Sequence, residues 1–175
     1  SYANTVATID FAKQFKGHGW VGIRYQVEAD EDYNEIILHI RFKENDAKLQ
    51  QETLGTLGVN LIYGAFYKYN DPKKLLRYLY DHLDKDQLEI DTINFSGPRF
   101  ANVDNRLMSL QLVKNGMTDA VMFGPDGKNI LPAAVLYKKN ILALRGSFRP
   151  VTKVNMDMYE ESYNMFIKEN KVAEE

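Results

Sequence analysis

The chain reads as an α/β protein: a Rossmann-like three-layer domain with a mostly parallel sheet and a β-hairpin at one edge. Three observations predict this. Two strand-like runs before residue 44 are joined by a link too short for a crossover. From residue 46 onward, strand-like and helix-like segments alternate, which calls for parallel pairing through crossover helices. The helical segments also carry capping and stop signals at their ends.

The elements follow in order. Thr5 to Phe15 places Val6, Ile9, Phe11, Ala12 and Phe15 at helical spacing, predicting a first helix. The run from His18 to Gln26 reads as a strand, residues 28–34 as an acidic turn, and Glu35 to Lys43 as a second strand. In that strand Ile36, Leu38, Ile40 and Phe42 share one face, and Ile37, His39 and Arg41 take the other. Asp46 caps a helix through Leu57 that Gly58 ends. The apolar run Val59 to Tyr67 then reads as a strand. Asp71 and Pro72 open a helix through Leu83. Gln87 to Phe95 is a strand, broken by Ser96-Gly97-Pro98. Asn102 to Lys114 is a helix closed by Gly116. Asp119 to Phe123 is a short buried strand, and Gly124-Pro125-Asp126-Gly127 is a turn. Pro132 to Tyr137 is a short helix or a packed loop. Asn140 to Leu144 is a last strand, followed by a helix over about 151–168. The domain division expected is residues 1–139 for the Rossmann-like body. Residues 140–175 either complete its sheet or begin a truncated nucleotidyltransferase-like domain.

Composition narrows the function. Of 175 residues 45% are apolar, enough for one proper core. The net charge of −2 gives no basic excess to displace counterions, so no nucleic-acid partner is expected. No apolar run reaches the length of a membrane span, and no membrane partner is expected. The chain has no cysteine, which excludes disulfides, thiolate metal sites and a cysteine nucleophile. No signal peptide is read at Ser1-Tyr2-Ala3-Asn4, so the expected location is cytoplasmic. Both ends read as cut from a longer protein. The expected partners are therefore other domains of that chain and a small phosphorylated ligand, with a homo-oligomer left open.

In an open α/β sheet, ligands sit beyond the carboxyl ends of the strands. The residues predicted there are Lys68, Tyr69 and Asn70; Ser96, Gly97 and Arg99; Gly124 and Asp126; and Gly146, Ser147 and Arg149. Asn102, Asp104, Asn105 and Arg106 open the helix after the Arg99 loop. Glycines, arginines and a helix start suit a phosphate or carboxylate. The plainer alternative makes Asn102 or Asp104 a helix cap and Arg106 a solvated charge. His18-Gly19-Trp20-Val21-Gly22 is a second distinctive run. Its glycines permit close backbone approach, and His18 is a candidate acid, base or ligand. Trp20 reads as core or interface, and His39 and His82 as structural. No histidine spacing suits a metal, so none is expected.

The richest stretch is Asn140 to Met158, where an apolar run leads into Gly146-Ser147-Phe148-Arg149-Pro150-Val151-Thr152 and then a helix. Unpaired amides and the helix dipole make such a turn an anion site. It resembles the nucleotide-binding motif of nucleotidyltransferases that build dinucleotide cofactors, in which a Gly-Ser/Thr-Phe-Asp-Pro turn leads to a phosphate-stabilising histidine. Arg149 stands where that family has Asp, Val154 where it has Gly, and Asn155 where it has the histidine. Further segments resemble a family of bacterial proteins labelled nicotinate-nucleotide adenylyltransferase-like, and sometimes TonB-dependent receptor. They are the His18 run, Leu54 to Leu61, Asp104-Asn105-Arg106-Leu107-Met108, Gly124 to Gly127 and Arg145 to Thr152. A receptor barrel has no counterpart in this pattern.

The resemblance implies ATP with Mg2+ as cofactors and in-line adenylyl transfer as chemistry. It places Gly146, Ser147, Phe148 and Thr152 on the phosphates, and Asn155 and Arg149 at catalytic positions, with Arg99, Asn105 and Arg106 joining from a neighbouring loop. Losing one preorganised donor costs roughly 3–4 kcal/mol of barrier. The expected function is therefore a nucleotide- or phosphometabolite-binding domain whose catalytic motif is degraded, inactive as a transferase in this fragment. The alternative is a non-catalytic interaction or oligomerisation domain of a larger protein.

Overall fold

A computed structural model describes residues 1–12 and 16–170. Contacts divide the chain into two units, Ser1–Pro132 and Ala133–Glu175. The first unit is built on a four-stranded sheet of β1 (Tyr2–Asn4), β2 (His18–Tyr25), β3 (Asn34–Phe42) and β4 (Leu88–Ser96), in that spatial order. Every neighbouring pair is antiparallel. This corrects the expected parallel, three-layer Rossmann arrangement, and the reason lies in one segment. Residues 59–67 do not form a strand. They continue the helix that Asp46 caps, giving α1 (Ala47–Tyr67), with the Asp46 carboxylate accepting from the amides of Lys48 and Leu49. No strand therefore stands between β3 and β4, which pair directly as neighbours.

Gly58 does not stop α1 because its bareness serves packing: an added Cβ would come within 3.0 Å of the Tyr2 hydroxyl. The apolar run is split by the helical period. Leu57, Leu61 and Ala65 turn inward and are sealed, while Val59, Ile62 and Phe66 face outward. The rest of the helical layer is α2 (Pro72–Tyr78), shorter than the expected helix to Leu83, and α3 (Asn105–Lys114). A hairpin of β5 (Met122–Phe123) and β6 (Asn129–Ile130) follows, antiparallel and turned by Gly124–Gly127.

The core lies between one sheet face and these helices. Val21, Ile23 and Tyr25, then Ile36, Leu38, Ile40 and Phe42, then Leu88, Ile90, Ile93 and Phe95 meet Leu57, Leu61, Leu75, Leu76, Leu79, Met108 and Leu112. The period-two alternation in β2 and β3 forms as expected. In β4 a register shift opposite His39/Ile40 inserts an extra residue, so Ile90 and Ile93 both reach the core face and Asp91 and Thr92 lie between them. Each fully buried leucine or isoleucine contributes about 1.5–3 kcal/mol.

Thr5 to Asp10 does not form the expected helix; residues 13–15 of that prediction lie outside the described residues. The segment runs as a strap along the start of β2. The Thr5 amide donates to the Trp20 carbonyl at 2.9 Å, and the Ala7 amide to that of His18 at 3.1 Å. Gly19 makes this possible, since a Cβ there would lie 2.6 Å from both the Thr5 carbonyl oxygen and the Val6 Cα. Gly19→Ala is expected to lower stability by about 1–3 kcal/mol and to speed amide exchange at Thr5 and Ala7, measured by urea denaturation and hydrogen exchange.

The second unit contains most of α4 (Pro132–Leu136) and α5 (Lys153–Asn170). Residues 140–144 are irregular, so the expected last strand is not formed.

Candidate functional site

With an antiparallel sheet, the strands share no common carboxyl edge, and the crevice expected there does not exist. The face of the sheet opposite the core carries the polar residues instead. Its rows are His18, Arg41 and Glu89; then Trp20, His39 and Thr92; then Gly22, Ile37 and Asn94. Beside the last two rows, the start of α3 and the β5–β6 turn enclose a cleft of about 590 Å³. Trp20, Ile37 and Val103 form apolar walls; Thr92, Asn94, Asn105, Arg106, Lys128 and Asn129 bring polar groups. That size falls within the usual range of small-molecule sites. Trp20 and Ile37 also line a second hollow of about 340 Å³ toward β1.

Three separate sequence segments meet at this cleft: the His18 run through Trp20, the Asp104-Asn105-Arg106 run, and the turn ending in Gly127. Local chemistry places each. Asp104 caps α3, accepting from the Arg106 amide at 2.9 Å. Asn105 locks the helix start to β4: its amide donates to the Phe95 carbonyl at 3.0 Å, and its oxygen accepts from the Phe95 amide at 2.8 Å. The Arg106 guanidinium reaches back to Asp104 at 3.1 Å. It also lies across Gly127, which has φ of 76° and would bring an added Cβ within 3.4 Å of Arg106 Nη1. Lys128 pairs with Asp126 at 3.4 Å. Both ion pairs are exposed and worth little, so an incoming anion can draw on either cation.

Two of the lining residues carry buried polar atoms. Thr92 and Asn129 each hold a buried oxygen, Oγ1 and Oδ1, with no hydrogen-bond partner among the described residues. The Asn129 amide nitrogen already donates to the carbonyls of Ile93 at 3.1 Å and Asn105 at 3.3 Å, which leaves the oxygen as the unmatched atom. A buried polar atom without a partner costs about 1–3 kcal/mol. Tyr25 Oη, Asn34 Nδ2 and Ser109 Oγ, none of them in the cleft lining, are buried and partnerless in the same way, so this state does not by itself mark a ligand.

Next to Trp20 runs a file of ionisable groups. The Asp91 carboxylate bonds His39 Nδ1 at 2.8 Å, and His39 Nε2 lies 3.3 Å from His18 Nδ1. Asp91 and His39 are sealed; His18 is exposed. Arg41 approaches Asp91 at 3.4 Å and holds Glu89 at 2.9 Å, and Glu89 accepts from the Thr118 hydroxyl at 2.7 Å. The His39 ring stands edge-on to Trp20, with centroids 5.0 Å apart. Partial burial, then the neighbouring His39, hold His18 below the ordinary histidine range, which favours its neutral form at pH 7.

The other sequence-predicted residues lie elsewhere. Arg99 binds Glu31 at 2.7 Å and Glu28 at 2.9 Å, pinning the β2–β3 loop, and is not among the residues lining the cleft. Gly146, Ser147, Phe148, Arg149, Thr152 and Asn155 belong to the second unit. There the Thr152 amide and hydroxyl both donate to Asn155 Oδ1, at 2.9 and 2.8 Å, and the Asn155 amide donates to Thr152 Oγ1 at 3.3 Å. The two residues form a reciprocal cap at the start of α5, which engages the Thr152 amide and hydroxyl. The Phe148 ring covers Gly146, where a Cβ would sit 3.2 Å from Phe148 Cζ.

Trp20, His39, Asp91, Thr92, Asn94, Lys128 and Asn129 are the residues that sequence reasoning did not assign to a site. One signal for them was present: β4 carries Glu89, Asp91, Thr92 and Asn94 among apolar residues, beside His39 and Arg41 of β3. Among the described residues no group of three or more His, Asp or Glu is placed to hold a metal ion. No helix among them is long and apolar enough to cross a membrane. Comparison with models of known families, with curated proteins and with solved structures finds no match to this chain.

Proposed function

We propose that the first unit is a binding module for a nucleotide or a similar phosphorylated metabolite, seated in the cleft between Trp20, the start of α3 and the β5–β6 turn. The observation that carries the reading is a cleft of about 590 Å³ whose lining joins an aromatic wall, Trp20, to two cations, Arg106 and Lys128. Trp20 offers a stacking surface for a ring, a contact worth about 1–3 kcal/mol for a nucleobase. Asn94, exposed at the cleft wall, offers an amide to a ring edge. Arg106 and Lys128 offer charge to a phosphate. The resemblance to nicotinate-nucleotide adenylyltransferase-like proteins agrees in ligand class. No adenylyl-transfer step is assigned to Arg149 and Asn155.

Thermal unfolding with ATP and Mg2+, nicotinate mononucleotide and coenzyme A precursors tests the reading. A ligand at a hundred times its Kd stabilises by about 2.7 kcal/mol, and Trp20→Ala abolishes the shift. The rival reading, an interaction module, draws on the outer face of α1. That face exposes Val59, Ile62, Tyr63 and Phe66, and residues 53–67 contain no charged side chain. Absence of any shift with all the ligands favours it.

A further inference from the structure

We propose that the outer face of α1 is the interface of a two-fold symmetric dimer, in which it is covered by the same helix of a second copy of this chain, lying antiparallel. The inference is independent of nucleotide binding, since this face shares no residue with the lining of the cleft.

The face is one stripe of the helix. Val59, Ile62, Tyr63, Phe66 and Tyr67 recur at helical spacing and stay exposed, Val59 at 67%. A contiguous apolar stripe of this kind marks a contact surface. Its two halves differ. The half toward Tyr67 is bulky and aromatic: the Tyr63 ring stacks on Tyr67 with centroids 4.6 Å apart and meets Tyr78 at 5.0 Å. The half toward the start of the helix is bare. There Gly55 and Gly58 open a hollow of about 380 Å³, walled by Tyr2, Leu54 and Ile62. Gly58 is needed inside the molecule, because Tyr2 packs on it. Gly55 is not, since nothing among the described residues lies within 4 Å of a Cβ placed there. A glycine inside a helix weakens the helix, and a side chain arriving from outside gives Gly55 its use.

Symmetry fixes which side chain arrives. A two-fold axis between Val59 and Ile62 sets Val59 of each copy against Ile62 of the other, and Phe66 of each copy over the other's Gly55. Bulk then meets hollow twice, as a self-complementary interface requires. Charge selects the antiparallel order. Residues 43–52, around the start of α1, carry three acids against two bases, and residues 68–77, at and beyond its end, carry four bases against one acid. Antiparallel helices bring these unlike ends together, whereas parallel helices bring like ends together. Between the ends, residues 53–67 have no charge to bury. Glu52 is held loosely, by Lys48 at 3.9 Å with both side chains mostly exposed, and Lys68 lies 5.8 Å from the Tyr63 ring at the edge of the stripe. The symmetric pairing brings Glu52 of one copy toward Lys68 of the other.

The mass of the full chain in solution, read by sedimentation velocity and light scattering, tests the interface. The wild type is expected as a dimer in the micromolar range. Val59→Glu and Val59→Lys, each setting like charges across the axis, are expected as monomers, and an equal mixture of the two as a dimer again. Gly55→Leu suits the helix, has open space in the monomer and fills the hollow. It is expected to weaken association at least about tenfold without lowering the melting temperature. A wild type that stays monomeric at on the order of 100 μM overturns the proposal, including the case in which the same face then binds anionic lipid vesicles. So does a dimer that survives any of the three substitutions, or a mixture of the two Val59 variants that stays monomeric.

Discussion

Truncating Leu38 to alanine is expected to cost about 3–4 kcal/mol of stability, the largest single effect in this fold. Leu38 lies on the third of four strands, fully buried, with Val21 opposite on one side and Ile93 on the other. Its side chain fills the middle of the layer between sheet and helices. Neighbours held on three hydrogen-bonded strands cannot move inward to close the gap, so the cavity term adds to the lost transfer energy. Urea denaturation with an unchanged slope and a lowered midpoint is the expected record. A loss below about 1 kcal/mol would mean that the sheet and helices do not enclose a tight core here.

Asp91→Ala is expected to cost about 3 kcal/mol by the same measurement, for an electrostatic reason. Asp91 accepts from His39 at 2.8 Å and faces Arg41 at 3.4 Å, and its side chain is only 8% exposed. Removal leaves the sealed His39 ring without its acceptor and takes one carboxylate from Arg41. The contrast with Glu89→Ala is informative. Its partner Arg41 is 51% exposed and can turn to water, and the Thr118 hydroxyl keeps the Ala120 carbonyl at 3.3 Å as an acceptor, so that change should cost clearly less than Asp91→Ala. Equal losses for the two would contradict a file whose inner end is sealed.

Much of the fold was legible in the sequence. Strict alternation in Ile36, Leu38, Ile40 and Phe42 placed β3 and its core face, and the short acidic link gave the hairpin with β2. The capping signals at Asp46, Asp71-Pro72 and Gly116 marked real helix ends. The first helix and the last strand did not form, but the parallel topology failed through one decision, at Gly58. A short apolar run rich in Val, Ile and Tyr does not declare its period, and glycine ordinarily stops a helix. Here glycine makes room for Tyr2, a contact 56 positions away that no local pattern contains. Reading residues 59–67 as a strand created a βαβ alternation, and parallel topology followed from it. With that segment helical, the same signals give an antiparallel meander.

The candidate site was legible in pieces. Asn105 and Arg106 were picked for standing at a helix start, and both line the cleft, although Asn105 also fastens α3 to β4. Trp20 read as core or interface; the residue is 40% exposed because β2 turns that face away from the helices. The partnerless oxygens of Thr92 and Asn129 were beyond reach, since an unsatisfied atom is defined by every neighbour at once. The Asp91–His39 contact needed the register shift in β4, which one sequence does not announce.

The cleft holds the chain's one tryptophan, so its fluorescence reports directly on occupancy. Titrating the full chain with ATP and with nicotinate mononucleotide should give a saturable change in Trp20 emission for at least one of them, weakened at least about tenfold by Arg106→Gln. Emission that stays flat with every nucleotide, while the protein remains folded, would contradict the cleft as a nucleotide site.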